Sequence, residues 1–152
     1  MSFIYGCSGL RKDIIFISSS GGHYKQIKLV EKLIKNNLKK TDYDFISTEN
    51  NKLVQCSLKK ISGTPLDKLL NIIDSFFFAY RFAPRIVITT GSGDVLPFVL
   101  FSRLLGAKVL FIDSIHNVKE LSSTGNIINK LRLGKVVVQH DNGKGEYWGR
   151  LI

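Results

Sequence analysis

Two short stretches carry residue types that chemistry can use. "SSSGGH" at residues 18–23 places serines, two glycines and His23 directly after an apolar run, and "TTGSGD" at 89–94 does much the same after "RIVI". Glycine admits close approach of the backbone, and the unpaired amides of a helix start favour an anion. Two such turns at one edge of a sheet form a cradle for a diphosphate or sugar phosphate. Each turn alone reads more plainly as a tight strand-to-helix connection, and only the two together bring the readings level. Neither matches G-x-G-x-x-G, and neither has the Lys-Ser/Thr pair of a P-loop. Because an unperturbed imidazole titrates near about 6.5, His23 fits a phosphate hydrogen-bond donor or a general base. A capping or solvent-facing residue is the plainer account of it. His116 and His140 follow later strands, but the three spacings match no ligand motif, so no metal is implied.

The elements that must position these residues alternate along the chain. "DIIFIS" (13–18), "YDFIST" (43–48), "RIVITT" (85–90), "KVLFID" (108–113) and "KVVVQ" (135–139) are short apolar runs of strand type. Helical spacing runs from Gly22 to about Leu38, through "PLDKLLNIIDSFFFAYRF" up to Pro84, from about Val95 to Leu105, and near Thr124 to Leu131. "LVQCSLKKI" is extended but ambiguous. Apolar strands alternating with helices predict an α/β, Rossmann-like, mostly parallel sheet with helices on both faces. The 152 residues suit one domain, with an N-terminal extension at 1–12 and a C-terminal tail at 141–152. In such a sheet, ligands sit at the carboxyl ends of the strands, where both glycine turns fall.

Charge points to an anionic partner. There are 22 Lys+Arg against 12 Asp+Glu, a net of +10. Lys25, Lys28, Lys32, Lys35 and Lys39 recur at steps of three and four along the first helix, opposite Ile27, Val30, Leu33, Ile34 and Leu38. Such a stripe is an ordinary solvated face, or a surface for an anionic leaflet worth up to about 1 kcal/mol per basic residue. The second helix carries "FFFAYRF", more aromatic surface than one face buries in a small core. It reads as core packing or as a membrane- or partner-facing surface. Nucleic acid has charge but no motif behind it. Cys7 and Cys56 read as reduced thiols, and no segment has the length and apolarity of a signal peptide or membrane span.

The residues then carry a resemblance. "SSSGGH", "TTGSGDVLPF" and "FIDSIHNVKELSSTGNIINKL" followed by "KVVVQ" resemble the accessory subunit of the two-component UDP-N-acetylglucosamine transferase that elongates dolichol-linked oligosaccharides, and its bacterial counterparts in capsule and exopolysaccharide synthesis. The match runs from about Asp13 to the end, and "DSIHNVKELSSTG" is its most specific part.

The resemblance implies the N-terminal, acceptor-side half of a split GT-B glycosyltransferase. It would act only with a separate donor-binding catalytic partner, need no cofactor, and sit in the cytoplasm on the inner face of the membrane. Its acceptor would be a polyprenyl-diphosphate-linked saccharide. Carried over on the matching positions, Ser20, Gly21 and Gly22 form one acceptor loop, with His23 the first base candidate and Asp113 the second. Gly91, Ser92, Gly93 and Asp94 form the other loop, Ser114 follows Asp113, and Ser122, Thr124 and Gly125 complete the acceptor set. The tail "GEYWGRLI" would place Tyr147, Trp148, Leu151 and Ile152 on the partner. Two departures stand out: eukaryotic members begin with a membrane-spanning helix, and they have Gly-Pro-Gly where this chain has Gly91-Ser92-Gly93. The alternative is a stand-alone nucleotide-binding or regulatory Rossmann module, with Glu49 toward a ribose, against which the missing fingerprint argues.

Overall fold

The computed structural model describes residues 11–34, 41–48, 56–58, 61, 63–141 and 143–149. Lys35, Lys39, Glu49, Leu151, Ile152 and residues 1–10, Cys7 among them, lie outside these. The strands are β1 (Ile14–Ser18), β2 (Tyr43–Ser47), β3 (Cys56–Ser57), β4 (Ile86–Thr89), β5 (Lys108–Ile112), β6 (Lys135–Val138) and β7 (Glu146–Tyr147). The helices are α1 (Gly22–Ile34), α2 (Pro65–Phe82), α3 (Leu96–Leu104) and α4 (Ser123–Lys130). All seven strands lie in one sheet in the order β3-β2-β1-β4-β5-β6-β7, and every neighbouring pair is parallel.

Strand residues alternate between two cores. Ile15, Ile17, Ile46, Val87 and Val109 point to one side, where Phe78, Ala79 and Phe82 of α2, Phe98 and Val99 of α3 and Ile128 of α4 close over them. Ile14, Phe16, Phe45, Ile88 and Ile112 point to the other, under Ile27 and Val30 of α1. This is why the strands read as unbroken apolar runs: both faces are covered. It also separates the two surfaces that the sequence offers to a membrane. The lysines of α1 and the aromatics of α2 lie on opposite faces of the sheet.

Local chemistry sets the helix ends. Thr64 caps α2 by accepting the Asp67 N–H, Asp67 accepts the Thr64 N–H in return at 2.9 Å, and Pro65 occupies the first turn, where its missing donor costs nothing. The helix stops at Ala83, whose φ of 37° is left-handed and whose N–H reaches the Ala79 carbonyl, and Pro84 follows. Within "FFFAYRF" the aromatics divide: Phe78 and Phe82 are buried, whereas Phe76, Phe77 and Tyr80 are exposed.

The C-terminal segment adds a short edge strand to the sheet. Glu146 and Tyr147 pair with Val137 and Val138 as an edge strand, and Glu146 bonds both Lys135 and the Trp148 indole N–H. The register is held by backbone bonds and a polar cluster, which leave no apolar run in the sequence.

Asp44 is a buried carboxylate in β2. Burial raises its pKa, and the Phe45 N–H at 2.8 Å and the charge of Lys12 offset this only in part. Because the folded pKa lies above the unfolded one, its favourable contribution is full below the ordinary carboxylate range and is lost as pH rises through the folded value. We therefore expect Asp44→Asn to raise the urea midpoint at pH 7 relative to wild type, with the advantage disappearing near the acid end of the titration.

Candidate functional site

Strands β1 and β4 are adjacent, and the helices that follow them, α1 and α3, leave on opposite faces. A crevice therefore opens beyond their carboxyl ends, the usual ligand position in an open α/β sheet. Both glycine turns border it.

The first turn is shaped for open approach. Gly21 adopts φ 79°, and a Cβ at Gly21 or Gly22 would meet nothing within 4 Å. The first backbone bond of α1 runs from the Lys25 N–H to the Gly21 carbonyl, so the amides of Gly22, His23 and Tyr24 precede it. The Ser20 N–H ties this turn to Thr48 Oγ1 at the end of β2.

The second turn grips the first. His23 Nδ1 lies 2.8 Å from the Thr90 carbonyl oxygen, and Thr90 Oγ1 donates to the His23 carbonyl at 2.9 Å. Gly91, at φ 105°, lets the chain pass the imidazole: a Cβ there would sit 3.7 Å from His23 Cε1 and 3.2 Å from Phe111 Cε2. Ser92 has φ 84° and ψ 158°, a region essentially reserved for glycine that costs about 1–3 kcal/mol. Its Oγ accepts the Asp94 N–H. Proline, held near φ −65°, could not adopt this backbone. Gly93 faces open space. Asp94 is a tie: Oδ1 accepts the Ile61 N–H at 2.8 Å and its carbonyl accepts Asn71 Nδ2 of α2.

A second cluster follows β5, centred on the buried Asp113. Oδ1 accepts the Ser114 N–H and Asn117 Nδ2, and Oδ2 accepts the Ser122 N–H, at 2.8 to 2.9 Å. Its carbonyl accepts Gln139 Nε2 at 2.8 Å and Gln26 Nε2 at 3.4 Å. Asp113 thus folds the β5–α4 loop around itself. Ser122 caps α4 by accepting the Gly125 N–H, and Thr124 is buried beside them. A Cβ on Gly125 would stand 3.1 Å from Phe111 Cε1, so the Phe111 ring is flanked by Gly91 and Gly125. His140 braces the same loop through Nε2 and the Ile115 carbonyl at 2.8 Å, while His116 is exposed. Among the described residues no three His, Cys, Asp or Glu side chains gather as metal ligands.

The remaining site residues lie elsewhere. Tyr147 and Trp148 are exposed on the edge beyond β6, where Lys135 stands 5.2 Å from the Trp148 ring centroid. On α1, Lys25 and Lys32 are exposed, but Lys28 bonds Glu31 at 3.1 Å and lies over the Phe45 ring. Thr90, Phe111, Gln26 and Gln139 went unweighed in the sequence. The signal available was a polar residue closing an apolar run, as in "ITT" and "VVVQ".

No family model and no curated protein matches the sequence. Among solved structures, the chain is similar to MurG of Acinetobacter baumannii, with a TM-score of 0.65 and 15% identity, over 86% of this chain and 42% of that one. The chain has the fold of the N-terminal half of a GT-B glycosyltransferase. It spans less than half of that neighbour's length.

The two central glycines should respond oppositely to a methyl group. Gly91→Ala is strained and presses on Phe111, so denaturant unfolding should show a loss of about 1–3 kcal/mol. Gly93→Ala meets open space without positive φ and should be neutral or gain up to about 1 kcal/mol.

Proposed function

We propose that this chain is the acceptor-binding, membrane-recruiting subunit of a split glycosyltransferase that transfers a sugar from a UDP-sugar to a polyprenyl-diphosphate-linked saccharide. The carrying observation is the juxtaposition of His23 with two glycine turns at the β1/β4 crevice. Gly21, Gly22 and Gly93 leave room for a diphosphate against the first amides of α1. The donor half belongs to a separate polypeptide closing over this edge, and the exposed Tyr147 and Trp148 are available to it.

In the reaction the acceptor hydroxyl oxygen forms the new bond to the anomeric carbon as the bond to the departing UDP oxygen breaks, with inversion. His23 takes the hydroxyl proton. Asp113, whose carboxylate already accepts three hydrogen bonds, holds the neighbouring loop in place. With the partner present, His23→Ala should lower turnover by about 10²- to 10⁴-fold; a change of only a few-fold would remove it as base. Titration of the isolated chain with UDP-sugars separates this reading from a stand-alone nucleotide module: the subunit should bind them weakly until the partner is added.

The lipid end of the acceptor needs an apolar path. A groove of about 350 Å³ runs from Gly93 between α2, α3 and α4, lined by Ile72, Leu96, Leu100, Phe101 and Ile127. On the helices that form it Leu69, Phe77, Tyr80 and Leu104 are exposed, as are Lys68, Lys130 and, just after α4, Arg132. No helix among the described residues is long and apolar enough to cross a membrane. We place the bilayer against this face, a partition driven by apolar burial and assisted by the cations. In flotation with anionic vesicles, Phe77→Ser with Tyr80→Ser should release more than half of the bound protein. Lys25→Glu with Lys32→Glu, on the opposite face, should release less; the reverse ranking would move the membrane to α1.

A further inference from the structure

We propose that Thr90 is a positioning residue that holds neutral His23 in its Nδ1–H tautomer, so that Nε2 carries the lone pair. A carbonyl oxygen only accepts, so the ring nitrogen 2.8 Å from the Thr90 carbonyl is the one that bears hydrogen. The partner of one ring nitrogen decides the state of the other. Nε2 has no hydrogen bond among the described residues, and His23 is only half-buried.

Three further features hold the arrangement. The Thr90 hydroxyl donates to the His23 carbonyl at 2.9 Å, so residue 90 binds residue 23 through both its backbone and its side chain. Thr90 is 1% exposed, which shields the exchange from water. Gly91 then turns past the ring at a φ that side chains rarely adopt. The preference is thus imposed by the turn after β4 on a residue of α1, across the crevice. When Nε2 takes a proton, the Nδ1–H bond to the carbonyl persists and becomes charge-assisted, so no ring flip is needed.

The catalytic consequence rests on the reading of His23 as base; the tautomer does not. In protein labelled with ¹⁵N-histidine, at a pH where the ring is neutral, His23 should show a protonated Nδ1 and a bare Nε2. Exposed His116 should show the ordinary Nε2–H form, and His23→Gln assigns the signals by deletion. An Nε2–H form at His23 overturns the proposal. Thr90→Val, which removes the hydroxyl at similar volume, should give a mixture of tautomers. In the two-component assay it should lower kcat by about 10-fold, with the acceptor KM little changed. Thr90→Ser should restore both readouts. If Thr90→Val unfolds, Thr90→Ser decides alone: a wild-type tautomer and kcat support the hydroxyl, and a mixed one overturns its role. A folded Thr90→Val with unchanged tautomer and kcat overturns it too. A locked tautomer together with an active His23→Ala would leave the lock standing and end the base reading.

Discussion

The arrangement depends on the pairing of β1 with β4. Their parallel register, Ile14 to Ile86 through Ile17 to Thr89, brings two strands far apart in sequence to one level at their carboxyl ends. Parallel strands need long crossovers, and here the crossovers diverge, so a crevice remains beyond the two ends, tied across by the His23–Thr90 pair. Everything proposed for the site follows from that level alignment. His23 can reach the Thr90 carbonyl only because both chains leave the sheet at the same height.

The fold was legible because its strands are buried on both sides. An apolar run such as "IIFIS" has no polar face to mislead a reader, and the glycine and proline boundaries of α1 and α2 are chemically explicit. β7 was hidden for the opposite reason: Glu146 and Tyr147 carry no hydrophobic pattern, and their pairing is held by backbone bonds and the Lys135–Glu146–Trp148 cluster. Two-residue polar strands leave nothing for periodicity to detect.

The candidate site was legible as loops and as residue types. What sequence could not supply was the division of labour among them. Asp113 and His23 both read as possible bases, but the carboxylate is wrapped by Ser114, Asn117 and Ser122, whereas the imidazole keeps one nitrogen without a hydrogen-bond partner among the described residues. Asp94 likewise looks like a ligand residue and serves as a tie to Ile61 and Asn71. The grip of Thr90 is exerted largely by a carbonyl, a group every residue has, so it leaves no trace in composition. The lysine stripe and aromatic helix were visible as patterns, but which side of the sheet each occupies depends on the direction of the crossovers.

Phe111 has a wider consequence. Its ring touches the positions where Gly91 and Gly125 would carry side chains, one glycine in the β4 turn and the other at the start of α4. One aromatic disc therefore sets the spacing of two loops that share no direct tie described here. A smaller residue 111 would relieve only part of the crowding, because a side chain on Gly125 would also meet Asp113 Oδ2 and Ser122 Oγ at 3.2 Å, and the positive φ of Gly91 strains any side chain there. Room for a larger side chain at the crevice lies instead at Gly22 and Gly93, where a Cβ would meet nothing within 4 Å.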